Sequence, residues 1–175
     1  MIILGIDPGS RLTGYGLIDF RDNRLGYIDS GFIKVEGEQF AERLGNIFER
    51  LSTVIAQHQP QQMSIEKVFM HKNADSALKL GQARGAAICA GHQAGLEVFE
   101  YAPREVKLTV VGQGGADKSQ VAHMIRHILS LPQELQADEA DALALAVCHA
   151  QHDAINQRTG IPASAFNRRK RSYRR

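Results

Sequence analysis

Ile2-Ile3-Leu4-Gly5-Ile6-Asp7-Pro8-Gly9-Ser10 is the stretch on which the fold turns. Five apolar or small residues run without a break into a carboxylate, the pattern of a strand covered on both faces. Pro8 removes a backbone donor and Gly9 permits a tight turn, so the strand stops there. Asp7 is thereby set at the tip of a buried strand, where a carboxylate is costly unless positive charge meets it. A second strand is predicted over 13–20, with Tyr15, Leu17 and Asp19 on one face and Gly14, Gly16 and Ile18 on the other. The two strands form a hairpin with the carboxylate at its open end.

Beyond the hairpin, Leu25, Tyr27, Ile33 and Val35 share odd positions and predict a third strand, with Gly31 as a bulge. Phe40, Leu44, Ile47, Phe48, Leu51 and Ile55 recur at helical spacing, in a helix that ends near His58. Residues 62–66 read as a short strand whose last residue is again a carboxylate, Glu66. Asn73 or Asp75 caps a helix rich in alanine and glycine that runs toward Gly91 and suits close packing, within the chain or between subunits. A fifth strand covers 97–101 and a short helix 104–111. Asp117, with Gln120 three residues on, opens a helix ended by Pro132. Asp138 opens the last helix, with Ala140, Leu143, Ala144 and Val147 on its core stripe. Three strands followed by alternating helices and strands predict an α/β fold: a five-stranded mixed sheet flanked by helices on both faces. Strand one is central and strand four its parallel neighbour. Asp7 and Glu66 then stand side by side at the strand ends, where open α/β sheets hold ligands.

The chain of 175 residues suits one domain, a folded unit over 1–156 followed by a flexible basic tail over 157–175. Arg168 to Arg175 holds six basic residues and no acidic one. Taken away from the 21 basic residues, these six leave 15 against 19 acidic, a net of −4 for the rest. A mildly acidic domain with a cationic tail suits a polyanionic partner. No apolar run approaches the roughly 20 residues of a membrane-spanning helix, and the N-terminal run is too short for a signal peptide. Cys89 and Cys148 lie among apolar neighbours in predicted helices, which points to free buried thiols in a reducing cytoplasm.

Four carboxylates carry the chemistry. Asp138 and Asp141 are three apart, so they share a helix face in the first turn. The pair alone is explained by capping, Glu66 alone by an exposed strand end, and Asp7 alone by turn formation. Together they can converge on one point, and converging carboxylates repel one another unless a cation is present. Oxygen-only ligands select magnesium, with manganese able to substitute. Two such ions about 4 Å apart clamp the attacking and leaving oxygens of a phosphodiester. The residues therefore point to metal-dependent phosphodiester hydrolysis through Asp7, Glu66, Asp138 and Asp141. His123 and His127 have metal-pair spacing without a third ligand and read as a helix face. Gly112-Gln113-Gly114-Gly115-Ala116-Asp117-Lys118-Ser119 approaches a phosphate loop, but Asp117 replaces its last glycine and repels phosphate.

Several motifs together resemble the RuvC family of bacterial crossover junction endodeoxyribonucleases, the Holliday junction resolvases. They are Ile6-Asp7-Pro8-Gly9-Ser10 with Thr13-Gly14-Tyr15-Gly16, Ile65-Glu66-Lys67-Val68-Phe69, the run from Asn73 to Gly85, and Asp138-Glu139-Ala140-Asp141-Ala142-Leu143. The resemblance covers the chain to about Gln151. It implies a ribonuclease H-like fold, a homodimer, magnesium-dependent resolution of four-way DNA junctions in recombination and repair, and the branch-migration proteins RuvA and RuvB as partners. It implies that the metal-binding catalytic set is Asp7, Glu66, Asp138 and Asp141, that Lys107 and Lys118 contact DNA, and that Phe69 unstacks bases near the crossover. A two-fold symmetric protein presents two identical sites to a two-fold symmetric junction, giving paired nicks with 5′-phosphate and 3′-hydroxyl ends. Two rival readings are a non-catalytic DNA-binding module and a ribonuclease H-like ATPase. The first predicts no strand scission with any divalent ion; the second requires a further domain to close over nucleotide.

Overall fold

The computed structural model describes residues 1–68 and 73–159. Strand β1 (Ile2–Asp7) is followed by β2 (Leu12–Arg21) and β3 (Arg24–Lys34). Then come α1 (Phe40–His58), β4 (Gln62–Glu66), α2 (Ala74–Gln93), β5 (Glu97–Tyr101), α3 (Pro103–Val111), α4 (Lys118–Ile128) and α5 (Ala137–Thr159). The strands form one mixed sheet in the order β3-β2-β1-β4-β5. β1 lies at its centre, antiparallel to β2 and parallel to β4. Ile6 pairs with Ile65, which brings the C-terminal ends of β1 and β4, Asp7 and Glu66, to the same edge of the sheet. The fold class, the central place of the first strand and its parallel pairing with the fourth are as the sequence predicts.

The apolar run of β1 is divided between two cores, as strand alternation requires. Ile3 packs with Ile18 against Val106, Val121, Ile125 and Leu143 of α3, α4 and α5. Leu4 and Ile6 pack on the other face with Ile47, Leu51 and Ile55 of α1 and Ala83 and Ala87 of α2. Burial on both faces accounts for the absence of polar alternation before Asp7.

Helix α5 lies unusually close to the sheet. A side chain at Gly5 would collide with the Ala142 carbonyl, and one at Gly14 with the Asp138 carbonyl. These glycines are small because a helix backbone rests on them. Through that contact the start of α5 is brought beside the end of β1.

The structure departs from expectation in four places. The bulge lies not at Gly31 but between Leu17 and Ile18, where Leu17 faces Asp29 and Ile18 faces Tyr27. Gly31 is small because Tyr15 lies over it: an added Cβ would stand 2.7 Å from the Tyr15 hydroxyl. Helix α4 ends at Ile128, and Ser130 adopts a left-handed conformation with φ of 53° before Pro132 is reached. Cys148 is buried as expected, with burial pushing its thiol up to about 12, but Cys89 is exposed on α2. Finally, α5 continues to Thr159, past the point at which the sequence places the tail; residues 160–175 lie outside the described residues. No helix among the described residues is long and apolar enough to cross a membrane.

Candidate metal centre

The turn after β1 is tied down on several sides. Thr13 is fully buried, and its hydroxyl donates to the Gly9 carbonyl at 3.2 Å and accepts from the Gly9 N–H at 3.4 Å. Arg43 on α1 donates to the Ser10 carbonyl at 2.9 Å. Glu139 Oε2 accepts from the Gln136 N–H at 2.9 Å, so the first turn of α5 is closed by Glu139 rather than by either of its aspartates.

These elements bring five of the residues singled out in the sequence around one cleft of about 280 Å³: Asp7, Glu66, Lys107, Lys118 and Asp141. Pro103 and Val106 of α3, Val121 of α4, and Ala144 and Leu145 of α5 complete its walls. Asp138 does not line the cleft. It stands at the start of the same helix with its backbone against Gly14, and it is the weakest of the acidic neighbours felt by Asp7. Phe69 falls outside the described residues. The apolar wall from α3 has no signal in the sequence beyond an ordinary helix, because its nearness to Asp7 depends on how the helix folds back over the sheet.

The cleft is electrostatically strained. The Asp7 carboxyl is pushed up to about 7, first by burial, then by the charges of Glu66 and Asp141, with Asp138 adding least. Lys118 opposes this shift without cancelling it. A displacement of this size corresponds to a few kcal/mol disfavouring the charged form, on the order of 1.4 kcal/mol per pH unit. Lys118 Nζ reaches Asp141 Oδ2 at 2.6 Å, and that contact holds the ammonium above its ordinary range. A protein cation thus stands where negative charge has gathered.

Among the described residues no three acidic, histidine or cysteine side chains form a ready-made metal cage. The donor chemistry nevertheless fits a hard divalent ion: the acidic groups at the cleft offer oxygen alone, Asp7 is desolvated, and an ammonium already answers part of their charge. The other sequence candidates lie elsewhere. His123 and His127 are both exposed on α4, and Asp117 serves as the N-cap of that helix, accepting from Gln120 N–H at 2.9 Å.

Comparison with known proteins shows the family. Residues 3–149 match the family model described as crossover junction endodeoxyribonuclease RuvC. The curated RuvC of Marinobacter nauticus is 58% identical over 149 residues, which is 85% of each chain. That of Vibrio parahaemolyticus is 51% identical over 173 residues, 99% of each chain. Among solved structures, T. thermophilus RuvC in complex with a Holliday junction substrate superposes with a TM-score of 0.83 at 33% identity, covering 89% of this chain and 96% of that one. The yeast mitochondrial resolvase Ydc2 shares the fold, with a TM-score of 0.64 at 11% identity over 89% of this chain and 82% of that one. The chain therefore belongs to the RuvC family of crossover junction endodeoxyribonucleases, nucleases of the ribonuclease H-like α/β fold.

Proposed function

We propose that this chain resolves four-way DNA junctions by nicking two strands of like polarity, using magnesium ions held by Asp7, Glu66, Asp138 and Asp141. The observation that carries the reading is the meeting of Asp7, Glu66 and Asp141 at one cleft, where burial and like charge push the Asp7 carboxyl up. A folded protein retains such an arrangement where a cation relieves it. Two magnesium ions per subunit, or manganese in their place, supply an activated water and stabilise the departing 3′ oxygen.

The chain's own groups divide the remaining work. Asp7 ends the central strand, which is paired on both sides, and sets the reference point. Glu66 approaches it from the parallel strand. Asp138 and Asp141 move as one unit with α5. Lys118, paired with Asp141 at the cleft, would meet a phosphate once a bound cation answered the charge of Asp141, and Lys107 offers a second cation from α3. Phe69, three residues past Glu66 in the sequence, supplies a ring for stacking on bases opened at the crossover. Phosphate contacts position the junction, while its shape and deformability distinguish it from linear duplex.

The symmetry of the substrate asks for a homodimer, with one cleft for each of the two strands cut. The products carry 5′-phosphate and 3′-hydroxyl ends. RuvA and RuvB, acting in the cytoplasm, are the partners that deliver the junction. The test is a nicking assay on synthetic four-way junctions and linear duplex, with and without magnesium. Junction-selective paired nicks that require the ion support the reading. Equal cutting of duplex, or cutting in chelator, overturns it.

A further inference from the structure

We infer that Arg84, on α2, is a positioning residue that fixes the backbone setting of Glu66 and so its place in the metal site. The peptide joining Glu66 to Lys67 is gripped at both ends. Its N–H, from Lys67, donates to the Tyr101 carbonyl at 2.8 Å. Its carbonyl, from Glu66, accepts from Arg84 Nε at 3.0 Å. A peptide unit is planar, so holding both its polar ends fixes the rotation about the bond that leads out of Glu66. Glu66 is the last residue of β4, where strand pairing alone stops restraining the chain.

The guanidinium is itself oriented. Arg84 Nη2 pairs with Glu100 Oε1 at 2.7 Å, and Glu100 lies opposite Ile65 in the ladder between β4 and β5. One rigid fork therefore spans the ends of two strands, a task for which arginine is suited and lysine is not. Ala83 and Ala87 bury the adjoining face of α2 in the core, so the origin of the Arg84 side chain is fixed as well. Glu100 is 43% exposed, and an ion pair so wetted contributes little to stability. The contact has a geometric consequence out of proportion to its stability: it restrains a group at the cleft from outside the cleft. Orienting groups of this kind typically change metal affinity by about 10- to 100-fold.

The inference rests on the reading of Glu66 as a metal-binding carboxylate, and the experiment separates the two. Full-length protein and its Arg84→Gln, Arg84→Lys and Glu66→Gln variants are titrated with manganese(II) without DNA, free ion being followed by electron paramagnetic resonance. Unfolding temperature and single-turnover junction cleavage are measured alongside. Arg84→Gln is expected to bind manganese about tenfold more weakly, with an unchanged unfolding temperature and cleavage restored by excess ion. Arg84→Lys, able to reach one partner at a time, is expected to fall between. Unchanged manganese affinity in Arg84→Gln, where Glu66→Gln is weakened, overturns the role of Arg84 alone. So does an affinity that falls in step with the unfolding temperature. Unchanged affinity in Glu66→Gln removes the metal reading and the positioning role with it. Should Arg84→Gln not fold, Glu100→Gln is the substitute: it releases the fork and is expected to weaken manganese binding in the same direction, and no change there also overturns the inference.

Discussion

Two polar regions lie between the sheet and α5, and they are built on opposite terms. In the first, Tyr101, His149 and Gln62 form a closed chain: the tyrosine hydroxyl meets His149 Nδ1 at 2.7 Å, and His149 Nε2 meets the Gln62 side-chain oxygen at 2.8 Å. Phe99 lies over the same imidazole, with ring centroids 4.2 Å apart. His149 is 2% exposed, and burial, with a smaller push from His152, lowers it to about 4. It is therefore neutral, and each of its nitrogens has a partner. In the second region, a few turns away on the same helix, desolvated like charges face each other and one lysine answers for part of them. The first region has its polar groups satisfied and holds the layers together. The second holds the buried Asp7 carboxyl raised among like charges, as a site that must bind something does.

Four measurements break or sharpen that contrast. The largest effect is expected from Asp7→Asn, which removes charge and little shape. Single-turnover cleavage should fall by more than about a hundredfold while junction affinity stays within a few-fold. The same variant should be more stable than the parent at pH 8 without metal. The sign follows from Asp7 having a folded value above its unfolded one: the native state holds the extra proton, and stability declines as pH rises from 3.8 through about 7. A parent and variant with equal denaturation midpoints at pH 8 would show that the cleft is not strained.

His149→Phe should have the reverse profile. It strands the Tyr101 hydroxyl and the Gln62 amide, which costs about 2–4 kcal/mol in urea denaturation at pH 7. Its effect on manganese affinity should be small. In the parent, His149 has a folded value below its unfolded one, so stability is lost as pH falls from 6.5 toward about 4. That component of acid sensitivity should be missing from His149→Phe, and its persistence would assign it to other groups. A third measurement follows manganese affinity against pH. Asp7 must shed its proton to hold an ion, so affinity should rise up to about tenfold per pH unit below about 7 and then level off. The smallest effect is expected from removing residues 168–175. Neither region should change, but the salt dependence of junction binding should become shallower; an identical slope would make the tail a bystander.

Much of the fold is legible in the sequence because its signals are local. The apolar run before Asp7, the helical spacing in α1 and the caps at Asn73 and Asp117 each act over a few residues, and each appears where expected. The meeting of Asp7, Glu66 and Asp141 is also legible, since strand order and helix phase suffice to place carboxylates at one edge. The bulge in β2–β3 is not, because Gly31 is small on account of Tyr15 lying over it, and a glycine does not say why it is small. Nor are the hydrogen bonds of Arg84 to Glu66 and of His149 to Tyr101 and Gln62, which join residues 18 to 87 positions apart in the chain. The role of Asp138 and Asp141 as caps is weighed in the sequence on spacing alone, and only the position of Glu139 decides against it.

The glycines beneath α5 have a practical corollary for redesign. With Gly5 and Gly14 acting as spacers of zero thickness, the gap between helix and sheet is set by main chain touching main chain. Anyone transplanting this centre into another scaffold must reproduce an interlayer distance before choosing a single ligand. A methyl group inserted at either spacer would lift both aspartates together, like the wrong shim under a hinge plate.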